Sequence, residues 1–482
     1  MGKPLKRSLN DLINTVANRE LKSIMTISTG TPNAKSLPNW RILSYGTINL
    51  PLSFIGYPIV IFVAPFYASE LGLPLGILGT MLFLARMSDV ITDPLIGVGS
   101  DSLRTRFGRR KPWIAAGILV MMLGVYKLFI PSPGVGTLYF LTWVSVVYLG
   151  FTMVTLPHEA WGGELSPHYE ERTRITGARM LFGLIGLVLA TVVPAVILGR
   201  SGGTMGMVLE TLAWIVIALL PICGAWLLWA VPAATPAEVK DEVPFMKGLR
   251  RMWRNGPFVR MLLILLLAVI GETFRITITL FYARDVIGIG NLGSIYLYYF
   301  GVGLLGIPVW IKLGNTIGKH RALALSFITL AVLSLCMLPL GRGDTIVFII
   351  LFTAKGFCFG SLQLLPSAMI ADVVDVDSAR SGKSPQGLYY AAAGVALKLG
   401  MALGQGLSLN LLAVVGYQAA GGSSASALSW LSLFYCIPAA ALFLIALPLV
   451  WRYPLTSARH KKIRAKFDAR LAAQKNVGAV LP

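Results

Sequence analysis

Charge is what this sequence has least of. Only 13% of its 482 residues are Asp, Glu, Lys or Arg, roughly half the share usual in a soluble globular chain. So few charges cannot cover the surface of a soluble protein of this size, which excludes that class. Acidic residues are scarcer still, with 21 against 42 Lys and Arg, a formal net charge of +21. The four cysteines (Cys223, Cys336, Cys358 and Cys436) fall in apolar stretches without paired spacing. They read as small core residues, not as a disulfide framework or thiolate metal centre. The first forty residues lack an apolar run and do not read as a signal peptide. Within them Leu9, Leu12, Ile13, Val16, Leu21 and Ile24 recur at roughly helical spacing. That pattern suits an interfacial amphipathic helix or a polar tail.

Apolar residues, by contrast, make up 55% of the chain. Residues 208–232, 258–282, 322–340 and 426–451 each run near or beyond the roughly 20 residues that cross hydrocarbon. The whole pattern predicts an all-α, polytopic membrane protein. The expected spans are 43–67, 74–98, 113–131, 137–160, 176–199, 208–232, 258–283, 291–312, 322–340, 345–371, 385–415 and 427–451.

The basic residues gather in alternate inter-span segments. One group is Arg104, Arg106, Arg109, Arg110 and Lys111; later groups include Lys247, Arg250, Arg251 and Arg254, and then the tail. This is the positive-inside pattern, so the expectation is a multi-pass protein of a plasma or inner membrane with both termini cytoplasmic. It accounts for the basic balance without nucleic acid and leaves membrane lipid as the surrounding partner. A charged, proline-bearing stretch at 233–257 separates an expected six-helix half at 43–232 from a second at 258–452. A cytoplasmic segment at 1–42 and a basic tail at 453–482 complete the organisation. The halves echo each other weakly: the turn Arg104 to Lys111 after the second span resembles the turn Gly314 to Arg321 after the eighth. A parallel repeat of six-helix halves, with a site between them near the midplane, is the plan of the major facilitator class.

The second span carries the densest intramembrane charge. Arg86, Asp89 and Asp93 stand at i, i+3 and i+7, on one helix face. Each costs at least about 2.5–3.5 kcal/mol at the centre of a membrane helix, so a cavity, mutual pairing or a bound ion is needed. Two carboxylates one turn apart repel unless a cation or proton lies between them. Oxygen ligands also suit a hard cation such as sodium. Asp89 and Asp93 are therefore the expected cation-binding pair, Na+ or H+, with no other cofactor. Lys398, alone in the eleventh span, calls for a carboxylate from the opposite half. Glu272 and Arg275 can pair within the seventh span. Lys355 in the tenth and His158 and Glu159 in the fourth are further candidates, and Tyr389 is grouped with Lys398.

Several motifs resemble the glycoside–pentoside–hexuronide:cation symporters of the major facilitator superfamily, the family of melibiose permease. The stretch Arg86 to Gly97, continuing to Arg109-Arg110-Lys111-Pro112-Trp113, looks like that family's signature. Leu156-Pro157-His158-Glu159-Ala160, Glu171-Arg172-Thr173-Arg174, Ala371-Asp372-Val-Val-Asp375 and Lys398 follow in order. The resemblance implies cation-coupled symport of a small polar solute, a sugar or glycoside, by alternating access. It also implies that Asp89 and Asp93 hold the coupling cation with Lys398 nearby. This chain departs from the family's sugar transporters at the first and fourth spans, where they carry sugar-binding acids. Here Ser44 to Tyr67 contains no carboxylate, and Thr155 stands at the fourth-span position. A lysolipid or a sugar acid, met by Arg275 and Lys398, is the alternative cargo; a vertebrate branch of the family carries lysolipids with sodium. Asp101 with Arg104, Arg106, Arg109 and Arg110 reads as a gating turn. A reading from another class takes the motifs at Asp89–Asp93 and Asp372–Asp377 for the paired acids of an intramembrane prenyltransferase. The depth of Arg86 and the number of spans weigh against that enzyme.

Overall fold

The computed structural model describes residues 37–166, 169–233, 250–381, 386–455, 459 and 463. The possible amphipathic helix before residue 37, most of the 233–257 linker and most of the tail lie outside the described residues. The described residues from 42 onward belong to one compact unit.

Among the described residues, twelve helices are long and apolar enough to cross a membrane. They are α1 (Asn39–Ser69), α2 (Leu75–Ser102), α3 (Lys111–Phe129), α4 (Thr137–Glu164), α5 (Glu171–Leu198) and α6 (Met205–Ala230). There follow α7 (Gly256–Ile287), α8 (Gly293–Thr316), α9 (Lys319–Cys336), α10 (Thr345–Asp377), α11 (Gly387–Val414) and α12 (Ala425–Trp451). Helix is the secondary structure to expect, because hydrocarbon offers backbone groups no other partner. Successive helices run in opposite directions. The side where α1 begins is called the near face below, and the side where it ends the far face.

Local chemistry sets the helix ends. Thr204, Asn255, Asn291 and Ser424 cap α6, α7, α8 and α12 by accepting from a backbone N–H three residues on. Each of the two echoed turns has a glycine with positive φ: Gly108 (φ +91°) between α2 and α3, and Gly318 (φ +95°) between α8 and α9. Only glycine takes such angles without strain.

α1 and α7 are the most buried spans and run through the centre. α11 packs chiefly against α7 and α2, and α5 against α8 and α1. Two pairs of helices, α2 with α11 and α5 with α8, bring the first six and the last six into close contact on the far-face side. Gly79 of α2 lies so near α11 that a Cβ there would sit 2.8 Å from Leu409 Cβ. Asn291, which caps α8, donates to the Ala195 carbonyl of α5 at 3.4 Å.

Candidate solute and cation site

α2 is interrupted where its charges lie. It is helical from Leu75 to Met87 and again from Asp89 to Ser102, with Ser88 as the joint. The Ser88 hydroxyl donates to the Ala85 carbonyl at 2.7 Å, competing with the regular ladder. Pro94 has no N–H to give to the turn before it. Discontinuous membrane helices occur where irregular backbone lines a cavity or an ion site. α10 breaks in the same way at Cys358, three residues after Lys355.

Four charges meet at the α2 joint. Arg86 Nη1 donates to Asp89 Oδ2 at 3.3 Å, and its guanidinium lies 3.9 Å from the centre of the Tyr148 ring in α4. Lys398 Nζ reaches across from α11 to Asp93 Oδ1 at 2.7 Å and Oδ2 at 2.6 Å. The same ammonium is 3.3 Å from Asp89 Oδ2 and 3.4 Å from Thr152 Oγ1. One organic cation thus occupies the position between two carboxylates where a small hard cation would lie. Two acids and two bases sum to zero formal charge. That balance is what allows them to remain inside a membrane. Asp89 is almost fully buried, and its Oδ1 has no hydrogen-bond partner among the described residues.

A second polar cluster lies wholly within the last six helices. Arg275 Nη2 donates to Glu272 Oε1 at 2.5 Å, and Tyr299 of α8 donates to the same oxygen at 2.7 Å. Lys355 is fully buried and donates to Ser334 Oγ of α9 at 2.8 Å. Phe300 and Phe359 enclose Tyr57, which α1 contributes.

The gating residues divide. Asp101 pairs with Arg110 at 2.5 Å. Glu164 at the end of α4 accepts from Arg109 at 2.8 Å and Arg110 at 2.6 Å. Arg104 and Arg106 are exposed, and Arg106 lies over the Phe107 ring. The paired members belong to α2, the turn between α2 and α3, and α4. In the last six helices Lys319 holds Asp372 at 2.7 Å, and Arg251 holds Asp377 at 3.1 Å.

Other sequence candidates stand apart from the four-charge centre. The Thr155 hydroxyl donates to the Phe151 carbonyl of its own helix at 2.8 Å; Thr152, one turn away, is the threonine that meets Lys398. Glu159 is more than half exposed and pairs with Arg179 of α5 at 3.0 Å. Tyr389 is buried near the start of α11, accepting from Asn255 at 3.0 Å with its ring against Phe258. That puts it at the near-face end of α7, away from the charges. His158 meets neither a cavity nor headgroups: it is buried, stacks on Tyr45 at 4.1 Å, and donates to the Tyr45 carbonyl at 2.9 Å. It ties α4 to α1. Sequence reasoning passed over Tyr148, Thr152 and Arg179. The first two share a helix face with Thr155 and Glu159, at i, i+4, i+7 and i+11, and that spacing was the available signal.

The far face is closed by a latch between the two groups of helices. Arg284 at the end of α7 donates to the Ala419 carbonyl at 2.5 Å and to Ser69 Oγ of α1 at 3.2 Å. It is held by Asp285, at 2.7 and 2.9 Å. Tyr417 donates to the same carboxylate. Burial, and then Asp285, push the Tyr417 phenol well above its ordinary value, so it remains a donor.

A family model described as MFS/sugar transport protein matches residues 44–457. The chain belongs to this family. Its fold agrees: a bacterial homologue of the human lysosomal transporter Spinster superposes with a TM-score of 0.64 at 13% identity, covering 89% of this chain and 99% of that one. The Escherichia coli fucose:proton symporter superposes at 0.54 with 16% identity, over 87% and 98%. Sequence relatives include the isoprimeverose transporter of Lactiplantibacillus pentosus, 23% identical over 77% of this chain and 79% of that protein. The Escherichia coli inner membrane symporter YicJ is 25% identical over 87% and 93%. The human sodium-dependent lysophosphatidylcholine symporter 1 is 24% identical over 81% and 78%. This family member is a multi-pass membrane transporter of the major facilitator superfamily.

Proposed function

We propose that this transporter couples the entry of a small polar solute, of the sugar or glycoside class, to a cation moving down its gradient. The observation that carries the reading is Lys398 held between Asp89 and Asp93 across the two groups of helices. With no transported ion, Lys398 and Arg86 together neutralise the two acids. A sodium ion or proton arriving at Asp89 and Asp93 competes with Lys398 for them. The displaced ammonium is then free to meet the solute, so ion and solute raise each other's affinity by one factor. The basic near-face segments favour a cytoplasmic near face, with both termini on that side of a plasma or inner membrane. The latched far face makes this conformation one that releases solute inward.

Asp89 and Asp93 are engaged by Arg86 and Lys398, and Asp372 and Asp377 by Lys319 and Arg251. Neither acidic motif is arranged as a pair of free metal ligands, which supports transport over prenyl transfer. The second cargo, a lysolipid or sugar acid, is favoured by the absence of any carboxylate between Ser44 and Tyr67 and by the similarity to a lysophosphatidylcholine symporter.

The test uses purified protein in liposomes. Uptake of isoprimeverose, simple methyl glycosides, glucuronate and lysophosphatidylcholine is measured under a sodium gradient and, separately, under a pH gradient. Accumulation of a glycoside driven by one of the gradients is expected. Accumulation of lysophosphatidylcholine or glucuronate alone would select the second cargo. No gradient-dependent movement of any of them would overturn the reading.

A further inference from the structure

Gln405 lies in α11, seven residues beyond Lys398. Seven residues make almost two turns, so both side chains leave the helix on one face. The neighbouring glycines fix where that face looks. Gly404 abuts Thr273, Ile270 and Phe274 of α7, and Gly406 abuts Phe83 and Gly79 of α2. Gln405, between them, sits at the junction of α2, α7 and α11, in the seam that closes the far face. Its level on α2 is three residues from Arg86, and on α7 it is that of Glu272 and Arg275.

Gln405 is 0% exposed. Neither its Nε2 nor its Oε1 has a hydrogen-bond partner among the described residues. A carboxamide carries two donor hydrogens and an acceptor oxygen. Buried without partners, it gives up its hydration and gains nothing in exchange. An apolar side chain of similar volume would fill the seam at less cost, so packing does not account for a glutamine here.

We propose that Gln405 is a solute-binding residue, its carboxamide pairing with adjacent hydroxyls of the solute when the far-face seam is open. The proposal deepens the transport reading and rests on it. When α2 and α11 part, the amide faces water. Closing the seam over an empty carrier strips that water away. Closing it over a solute with two neighbouring hydroxyls replaces it, because one hydroxyl donates to Oε1 while the other accepts from Nε2. The amide therefore favours closure of the loaded carrier over the empty one, and it selects for polyol chemistry.

The experiment compares the full-length wild type with Gln405→Met, an apolar side chain of similar length. Melting temperature is measured without solute. Uptake in liposomes is measured for isoprimeverose, methyl α-glucoside and methyl β-xyloside, each beside a monodeoxy analogue. The solute-free variant is expected to melt at or above the wild-type temperature. Its KM for the glycosides should rise at least about tenfold, and its preference for glycoside over deoxy analogue should shrink, since a site built to bond a hydroxyl rejects the analogue lacking it. A clear fall in the solute-free melting temperature would show a structural partner for the amide and overturn the proposal. So would unchanged KM and discrimination in the variant. If the wild type moves no glycoside, it is the transport reading that has failed. The melting comparison then decides for Gln405: a lower value in the variant counts against a ligand role, and an equal or higher one supports it.

Discussion

Lys398 on α11 bonds both carboxylate oxygens of Asp93 on α2, at 2.7 and 2.6 Å, and so helps join the first six helices to the last six. Asp93 is a fifth exposed and Lys398 slightly more, so the pair is not sealed and can exchange partners.

Replacing Asp93 with Asn keeps the size and hydrogen bonding of the side chain but removes a charge where Coulombic attraction is strong. Asp93→Asn should lose cation-driven accumulation by at least about tenfold, a change of roughly 1.4 kcal/mol in coupling, while keeping some downhill exchange. Uptake under sodium and pH gradients, beside counterflow, checks this. Full accumulation by the variant under both gradients would make the α2 acids structural.

Removing one partner of a buried pair costs more than removing both, because the survivor is left uncompensated. Lys398→Met should therefore lower stability more than the double variant Asp93→Asn, Lys398→Met. A favourable coupling energy of about 0.5–3 kcal/mol is expected from the cycle. Denaturation of the four proteins in detergent measures it. Strictly additive effects would deny the ion pair.

Glu164 is well shielded and holds two arginines, whereas Asp101 is mostly exposed and holds one. Asp101→Ala should slow transport without abolishing solute binding, since it lies outside the charged centre. Glu164→Gln should slow it further, because Arg109 and Arg110 both lose their anionic partner. Binding and initial uptake rates, measured together, separate the two steps. Equal loss of both in Asp101→Ala would argue against a gate.

Arg284 joins α7 to Ser69 and Ala419 through charge-assisted hydrogen bonds, which are worth about 1.5–3 kcal/mol each. Arg284→Ala should shift the carrier toward the conformation open at the far face. In a background with the native cysteines replaced, Leu409→Cys reports it, since Leu409 is fully buried in the α2–α11 seam against Gly79. Its labelling by a membrane-impermeant maleimide from the far side should rise roughly tenfold, in proportion to the open population. No change in labelling would mean that other contacts hold the seam.

Glu272→Gln leaves Arg275 buried beside Tyr299 with its anionic partner gone. A loss of about 3–5 kcal/mol of stability is expected for an uncompensated buried charge. A melting curve at fixed detergent checks it, and an unchanged midpoint would place the arginine's real partner elsewhere.

The twelve spans and the family were legible in the sequence, because apolar length and the order of motifs are properties of the chain itself. A span needs no distant partner to be recognised; hydrocarbon imposes its length and its helical hydrogen bonding. The charges Arg86, Asp89, Asp93 and Lys398 stood out for the same reason, being costly wherever the helix faces lipid. What the sequence could not give was who pairs with whom. Asp93 and Lys398 are 305 positions apart, and only the packing of α2 on α11 brings them together. Packing alone also moved Tyr389 to a helix end, turned His158 into a tie between α1 and α4, and chose Thr152 over Thr155. It left Gln405 buried without a partner. Periodicity shows which residues share a face; the tertiary structure decides what that face meets, because long-range contacts depend on how whole helices pack and not on local spacing.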